Sequence, residues 1–187
     1  MFKILATFAV FVSVLASSLL GVGGTVTATA ATSKVSFNSW QKDVIYVYDT
    51  TSKIKKSDGT RVWPVKAAAE RWDNDNPVDF RYTTKGCPAN SQCVIVRQKE
   101  LAAPAVGTTL LSRVGTDIKS VTIYLDTTFG RTNSSAKRRN VTCHELGHSL
   151  GLKHRNAKTT CLTSYANTVK YPDATDIKNL RTMYGYR

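Results

Sequence analysis

Hydrophobic positions along this chain keep two rhythms. In five short stretches they alternate, or run together with β-branched and aromatic residues: 43–51 (DVIYVYDTT), 77–84 (PVDFRYTT), 93–98 (CVIVRQ), 105–114 (AVGTTLLSRV) and 120–128 (SVTIYLDTT). These predict β-strands. In three other stretches the apolar positions return every third or fourth residue, the period of an α-helix. Within 63–76, Val65, Ala68, Ala69 and Trp72 share a face, and Pro64 suits a first turn. Cys143, Leu146, Gly147 and Leu150 form a second stripe, entered through the polar run GRTNSSAKRRN. Ile177, Leu180 and Met183 or Tyr184 form a third within 171–185, and Gly185 marks its stop. Trp63 and Trp72 are expected in the core, Asp58-Gly59 in a turn, and residues 31–40 in a loose leader. The order strand, helix, four strands, helix, loop, helix predicts an α+β fold with one mixed sheet and helices packed on it.

The first thirty residues follow another logic. Lys3 gives a positive start, and an apolar run from Ile4 to Leu20 is broken only by Thr7, Ser13, Ser17 and Ser18. Ala28-Thr29-Ala30 completes a signal-peptide layout with cleavage expected before Ala31. The run is about long enough for a membrane anchor, but its serines and small-residue exit favour cleavage. The expected product is a secreted, extracellular monomer of residues 31–187, one domain of ordinary size. The formal charge is +13, with 26 Lys and Arg against 13 Asp and Glu. Such a balance draws a protein to anionic surfaces such as wall polymers, with no specific nucleic acid implied.

An exported chain with four cysteines is expected to form two disulfides. Three pairings are possible. Cys87 and Cys93 bracket the turn-rich PANSQ, which favours a local bridge and leaves Cys143 with Cys161. No cysteine belongs to a C-x2-C pair, so metal binding by the thiols is the weaker reading.

All three histidines fall within residues 144–154. His144 and His148 are four apart, so on a helix both imidazoles project from one side. Glu145 lies between them in the order H-E-x-x-H, in which two histidines grip zinc and the glutamate is general base. A catalytic zinc site needs a third protein ligand and one open position. Gly151 can end the helix in a left-handed conformation, and His154 follows three residues later. The complete string H-E-x-x-H-x-x-G-x-x-H arises by chance in about one chain in ten thousand of this length at ordinary residue usage.

That string resembles the zinc signature of the metzincin metalloproteases. The closing TDIKNLRTMYG is similar to the last helix of matrixins, so the chain resembles a small matrixin-like metzincin. The resemblance implies a mostly parallel twisted sheet with an active-site helix, an N-terminal helix and a C-terminal helix. It implies an upper subdomain at 31–151 and a lower one at 152–187. It further implies Zn2+ on His144, His148 and His154, and a metal-activated water with Glu145 as general base, hydrolysing peptide bonds. CLTSY, residues 161–165, stands where metzincins make a tight turn carrying methionine, but Thr163 takes the methionine's place. Tyr165 resembles the tyrosine that donates to the oxyanion in astacins and serralysins. A protein or peptide substrate is expected extended in the cleft, pairing with an edge strand at Ala105–Leu111. Gly107 there would permit close backbone approach.

The departure at Thr163 keeps a second reading in play: a catalytically impaired basic secreted protein that binds anionic surfaces and keeps zinc for structure. Lys137-Arg138-Arg139 could serve such binding, although a run of this kind is more often a solvated face. Asn133 and Asn140 begin glycosylation acceptor triplets. The spacing of Asp73, Asp75 and Asp79 does not match a calcium loop.

Overall fold

The computed structural model describes residues 38–74, 77–164 and 167–185. The expected signal peptide and residues 31–37 lie outside that range, as do Asp75 and Tyr165. Strand β1 (Val44–Asp49) is followed by helix α1 (Val65–Asp73), then by β2 (Asp79–Thr83), β3 (Gln92–Lys99), β4 (Gly107–Val114) and β5 (Asp117–Asp126). Helices α2 (Thr127–Thr132), α3 (Ser135–Ser149) and α4 (Ala174–Tyr184) complete the order. The five strands form one sheet in the order β2-β1-β3-β5-β4. All neighbours are parallel except β4, which runs antiparallel to β5 at the edge. The α+β, mostly parallel sheet expected from the sequence is the one observed.

Alternation explains the core. Ile45 and Val47 of β1, Val94 and Val96 of β3, and Val121, Ile123 and Leu125 of β5 are buried, at the two-residue period of a half-covered sheet. Against them pack Val65, Ala68, Ala69 and Trp72 of α1 and Leu146 of α3, in one apolar cluster. Burying a leucine of this kind contributes about 1.5–3 kcal/mol. Trp63 and Trp72 are core residues, as expected, and Trp72 donates its indole N–H to Cys143 O at 2.8 Å. Gly147 lets the helix come this close, since a Cβ there would lie 2.7 Å from Trp72 and 2.6 Å from Leu162.

Three expectations are corrected. Residues 38–40 are no loose leader: Trp40 is buried, its indole donates to Ser149 O at 2.8 Å, and Ser39 bridges Asp117. The strand expected at 120–128 starts at Asp117 and ends at Asp126, whose carboxylate accepts from Phe129 N at 2.6 Å and caps α2. Helix α2 is only six residues long, too short for the periodicity to show. Third, the run Lys137-Arg138-Arg139 is not uniformly solvated. Arg138 is buried and donates to the carbonyls of Arg61 and Val62. Asn140 is also buried, with its amide engaged by Asn167 Oδ1 at 2.5 Å and Val169 O at 2.6 Å.

Both expected disulfides are present, Cys87–Cys93 and Cys143–Cys161. The first spans the turn before β3. The second ties α3 to the segment after His154.

Candidate metal centre and active site

Helix α3 starts at the Ser134 cap, whose hydroxyl accepts from Lys137 N. It ends where Gly151 takes φ +88°, a conformation that costs a side-chain-bearing residue strain. A Cβ at Gly151 would lie 1.9 Å from Asn38 O, so the stop is fixed by crowding as well. The chain then turns and returns His154 to the helix.

The result is a convergence of three rings. His144 Nε2 lies 3.0 Å from His148 Nε2 and 3.0 Å from His154 Nε2. One nitrogen from each ring falls within 4.8 Å of the others, a set able to hold a metal ion. The opposite ring nitrogens of the helical pair are anchored. His144 Nδ1 donates to Cys161 O and His148 Nδ1 donates to Leu152 O, both at 2.8 Å. A neutral imidazole that donates from Nδ1 presents a lone pair at Nε2. Facing lone pairs 3.0 Å apart repel unless a cation lies between them.

The spacing passes a simple test of fit. Two nitrogens at roughly 2.0–2.1 Å from a tetrahedral ion sit about 3.3 Å apart, near the separation observed. Protonation does not compete strongly. Burial, and then the neighbouring His148, hold the pKa of His144 down to about 4, and burial also lowers that of His148. Neutral nitrogen donors of this kind suit zinc.

Glu145 points from α3 toward β4. Thr109 Oγ1 donates to its Oε2 at 2.6 Å, and Thr109 also lies 3.1 Å from Glu145 O. Burial pushes the Glu145 carboxyl up to about 7, partly offset by the Thr109 hydrogen bond. Gly107 makes room for it: a Cβ there would lie 2.6 Å from Oε1 and 2.8 Å from Cγ. The group packed against Gly107 is thus the Glu145 side chain, where a backbone was expected. Strand β4 is an edge strand, as expected. A cavity of about 570 Å³ opens beside the rings, between the start of β4 and the face of α3 that carries Lys137, Val141, His144 and Glu145.

A sequence model of the family described as Matrixin, peptidase family M10, matches residues 39–185. The chain belongs to the matrixin family. No curated protein shows significant sequence similarity to it. Among solved structures it is similar to one described as the GM1-bound form of the ECX AB5 holotoxin. That likeness has a TM-score of 0.53 and 15% identity, over 76% of this chain and 80% of the other, and bears on the fold alone.

In this matrixin the structure thus brings together His144, His148, His154 and Glu145, the residues singled out by their spacing. Tyr165 lies outside the described residues. Thr163 is buried and borders the same cavity as His144 and His154. Sequence reasoning missed Thr109. It lies two residues after Gly107, on the same face of a strand, and that period was the available signal. It also missed the support beneath His154. Arg155 pairs with Asp173 and, at 2.7 Å, with the buried Asp176. Asp176 accepts from Thr160 as well, and Thr159 donates to Asp173 at 2.7 Å. The cap of α4 therefore holds the chain that carries the third histidine. No spacing rule links Arg155 to Asp176, 21 residues away.

Proposed function

We propose that this matrixin is a secreted zinc-dependent endopeptidase. The observation that carries the reading is the triangle of Nε2 lone pairs, each helical ring turned by a backbone carbonyl, with a buried carboxylate beside it. His144, His148 and His154 would hold the ion. Bound zinc supplies Lewis acidity, polarising a peptide carbonyl and acidifying water. Glu145 does the proton work. Thr109 engages Oε2, and among the described residues no hydrogen bond reaches Oε1, the oxygen left to take a proton from the attacking water. The same carboxyl delivers that proton to the departing amine, so one water is consumed and an acid and an amine leave. Tyr165 stays in the proposal as a donor to the carbonyl oxygen as it gains charge. A substrate lying extended beside the free edge of β4 would gain backbone hydrogen bonds there. Export fits the two disulfides, and no described helix is long and apolar enough to cross a membrane.

Cleavage of casein by the zinc-loaded protein tests this. Glu145→Ala should abolish cleavage, by at least about a hundredfold, while one zinc per chain stays bound. A zinc-loaded wild type that cuts neither casein nor a random peptide library overturns the reading.

A specific observation favours a second role beside it. Two adjoining cavities near the start of α3 share Arg139 and Glu70; Arg61, Lys66 and Asp58 line one and Arg71 and Lys170 the other, so bases outnumber acids along both. A cationic groove of this kind fits an anionic surface polymer. Retention on such a polymer should fall as salt rises, and retention unaffected by salt counts against it.

A further inference from the structure

The endopeptidase reading leaves open which side chain the site selects, and the cavity beside the imidazoles carries an answer that rests on that reading. Its walls are apolar at Val106, Phe129 and Val141. Its charged members are few. Among the described lining residues Glu145 is the one carboxylate, and Lys137 the one lysine or arginine. Glu145 sits at the imidazole end with Oε2 committed to Thr109. Lys137 stands at the other end, exposed, with no ion pair among the described residues. Its two neighbours in the basic run are turned elsewhere. Arg138 is spent on the carbonyls of Arg61 and Val62, and Arg139 borders the two cationic cavities instead. The nearby amide of Asn140 is committed to Asn167 and Val169.

The distances give the ligand its length. Lys137 precedes His144 by seven residues on one helix, about 10 Å along the axis at 1.5 Å per residue. A substrate backbone held at the imidazoles reaches toward that cation with a side chain of several atoms, and the lysine stem spans the remainder. The side chain must lie along apolar walls and end in negative charge. Glutamate meets both conditions. Aspartate is one carbon shorter, and lysine or arginine meets a like charge.

We propose that Lys137 is a specificity-determining residue, selecting substrates that place a glutamate side chain in this cavity beside the cut bond. A partly exposed ion pair is worth little by itself, but attraction for one sign adds to repulsion of the other. The expected discrimination between Glu and Lys is roughly five- to tenfold.

The test is a peptide library randomised on both sides of the cut, digested by the zinc-loaded protein. Wild type should enrich Glu over Asp, and Asp over Lys and Arg, at one position. Lys137→Ala should flatten that preference and Lys137→Glu should reverse it, with thermal midpoints no lower than wild type, since a glutamate three residues after the Ser134 cap favours the start of α3. A Glu-to-Lys ratio that Lys137→Glu leaves untouched overturns the proposal. Should no peptide be cut, the endopeptidase reading fails and a binding measurement decides the pocket. Two labelled peptides differing only in Glu against Lys are titrated into zinc-loaded Glu145→Gln protein, with and without Lys137→Glu, at low and high salt. A preference for the Glu peptide that weakens with salt and is lost in the double variant supports the proposal. Equal binding of the two peptides overturns it.

Discussion

His144 Nδ1 donates to the carbonyl oxygen of Cys161 at 2.8 Å, and Cys161 is disulfide-bonded to Cys143, the residue before His144. The covalent bond and the hydrogen bond close a small ring around one imidazole. The turn that follows His154 is thereby fastened to the helix two residues before the buried Thr163. Removing both sulfurs with Cys143→Ala and Cys161→Ala should cost about 3 kcal/mol of stability, as expected for a closed loop of this length. It should also weaken zinc by roughly tenfold, the effect of loosening a ligand's orienting partner. Zinc titration of the folded double variant checks this. Unchanged affinity would mean that the bridge serves stability alone.

Gly107 seats Glu145. In Gly107→Ala the new methyl would meet Oε1 at 2.6 Å and force the carboxylate aside. A displacement on the order of 1 Å at a catalytic group costs about a hundredfold in rate. Peptide cleavage should fall by that order while zinc content is retained. Activity within twofold of wild type would show that Glu145 can do its work from a shifted position.

Asp176 has no exposure to solvent and faces Arg155 at 2.7 Å. Asp176→Ala would strand the guanidinium beside Asp173 alone and leave Thr160 without its acceptor. Arg155 is half-buried and keeps Asp173, so the loss is mainly that of buried hydrogen-bond partners, about 1–3 kcal/mol. A drop in the thermal midpoint is expected, with zinc lost at lower chelator concentration because His154 shares the loosened segment. A midpoint close to wild type would show that Asp173 alone holds Arg155.

The metal-free protein should carry a pH signature of Glu145. Its carboxyl is raised from 4.5 to about 7 by burial, so the folded state favours the protonated form. The associated stability is fully present below pH 4.5 and is lost as pH rises through about 7, on the order of 3 kcal/mol in all. Glu145→Gln has no such loss. The midpoint of the variant minus that of wild type should therefore climb between pH 4.5 and 8, measured with chelator present. The depressed pKa of His144 acts oppositely, removing stability as pH falls below 6.5, but it is common to both proteins and cancels in the difference. A difference flat with pH would place the Glu145 carboxyl at an ordinary value.

Much of the site was legible because its chemistry is local. His144, Glu145 and His148 lie within five residues, and a helix turns that spacing into a shared face. Gly151 declared the stop, and His154 the return. The sheet was legible because strands covered on one face keep a two-residue period. Helix α2 was not, since six residues with a glycine carry no period. Trp40 was read as part of a loose leader because nothing nearby in sequence shows that its indole meets the Ser149 carbonyl of α3 and its backbone N–H the Tyr184 hydroxyl of α4.

By itself the sequence marked His144, His148 and His154 as a set able to hold a metal, Glu145 as the carboxylate beside them, and the strands and helices that carry both, since these follow from side-chain type and short spacing. Only the tertiary structure decided what surrounds and aims them: the carbonyls of Cys161 and Leu152, Thr109 and Gly107 against Glu145, Arg155 on Asp176, and Lys137 in the lining of the cavity. The physical reason is that a hydrogen bond to a backbone carbonyl, or a contact across tens of residues, leaves no mark in local periodicity and exists only once the chain has packed.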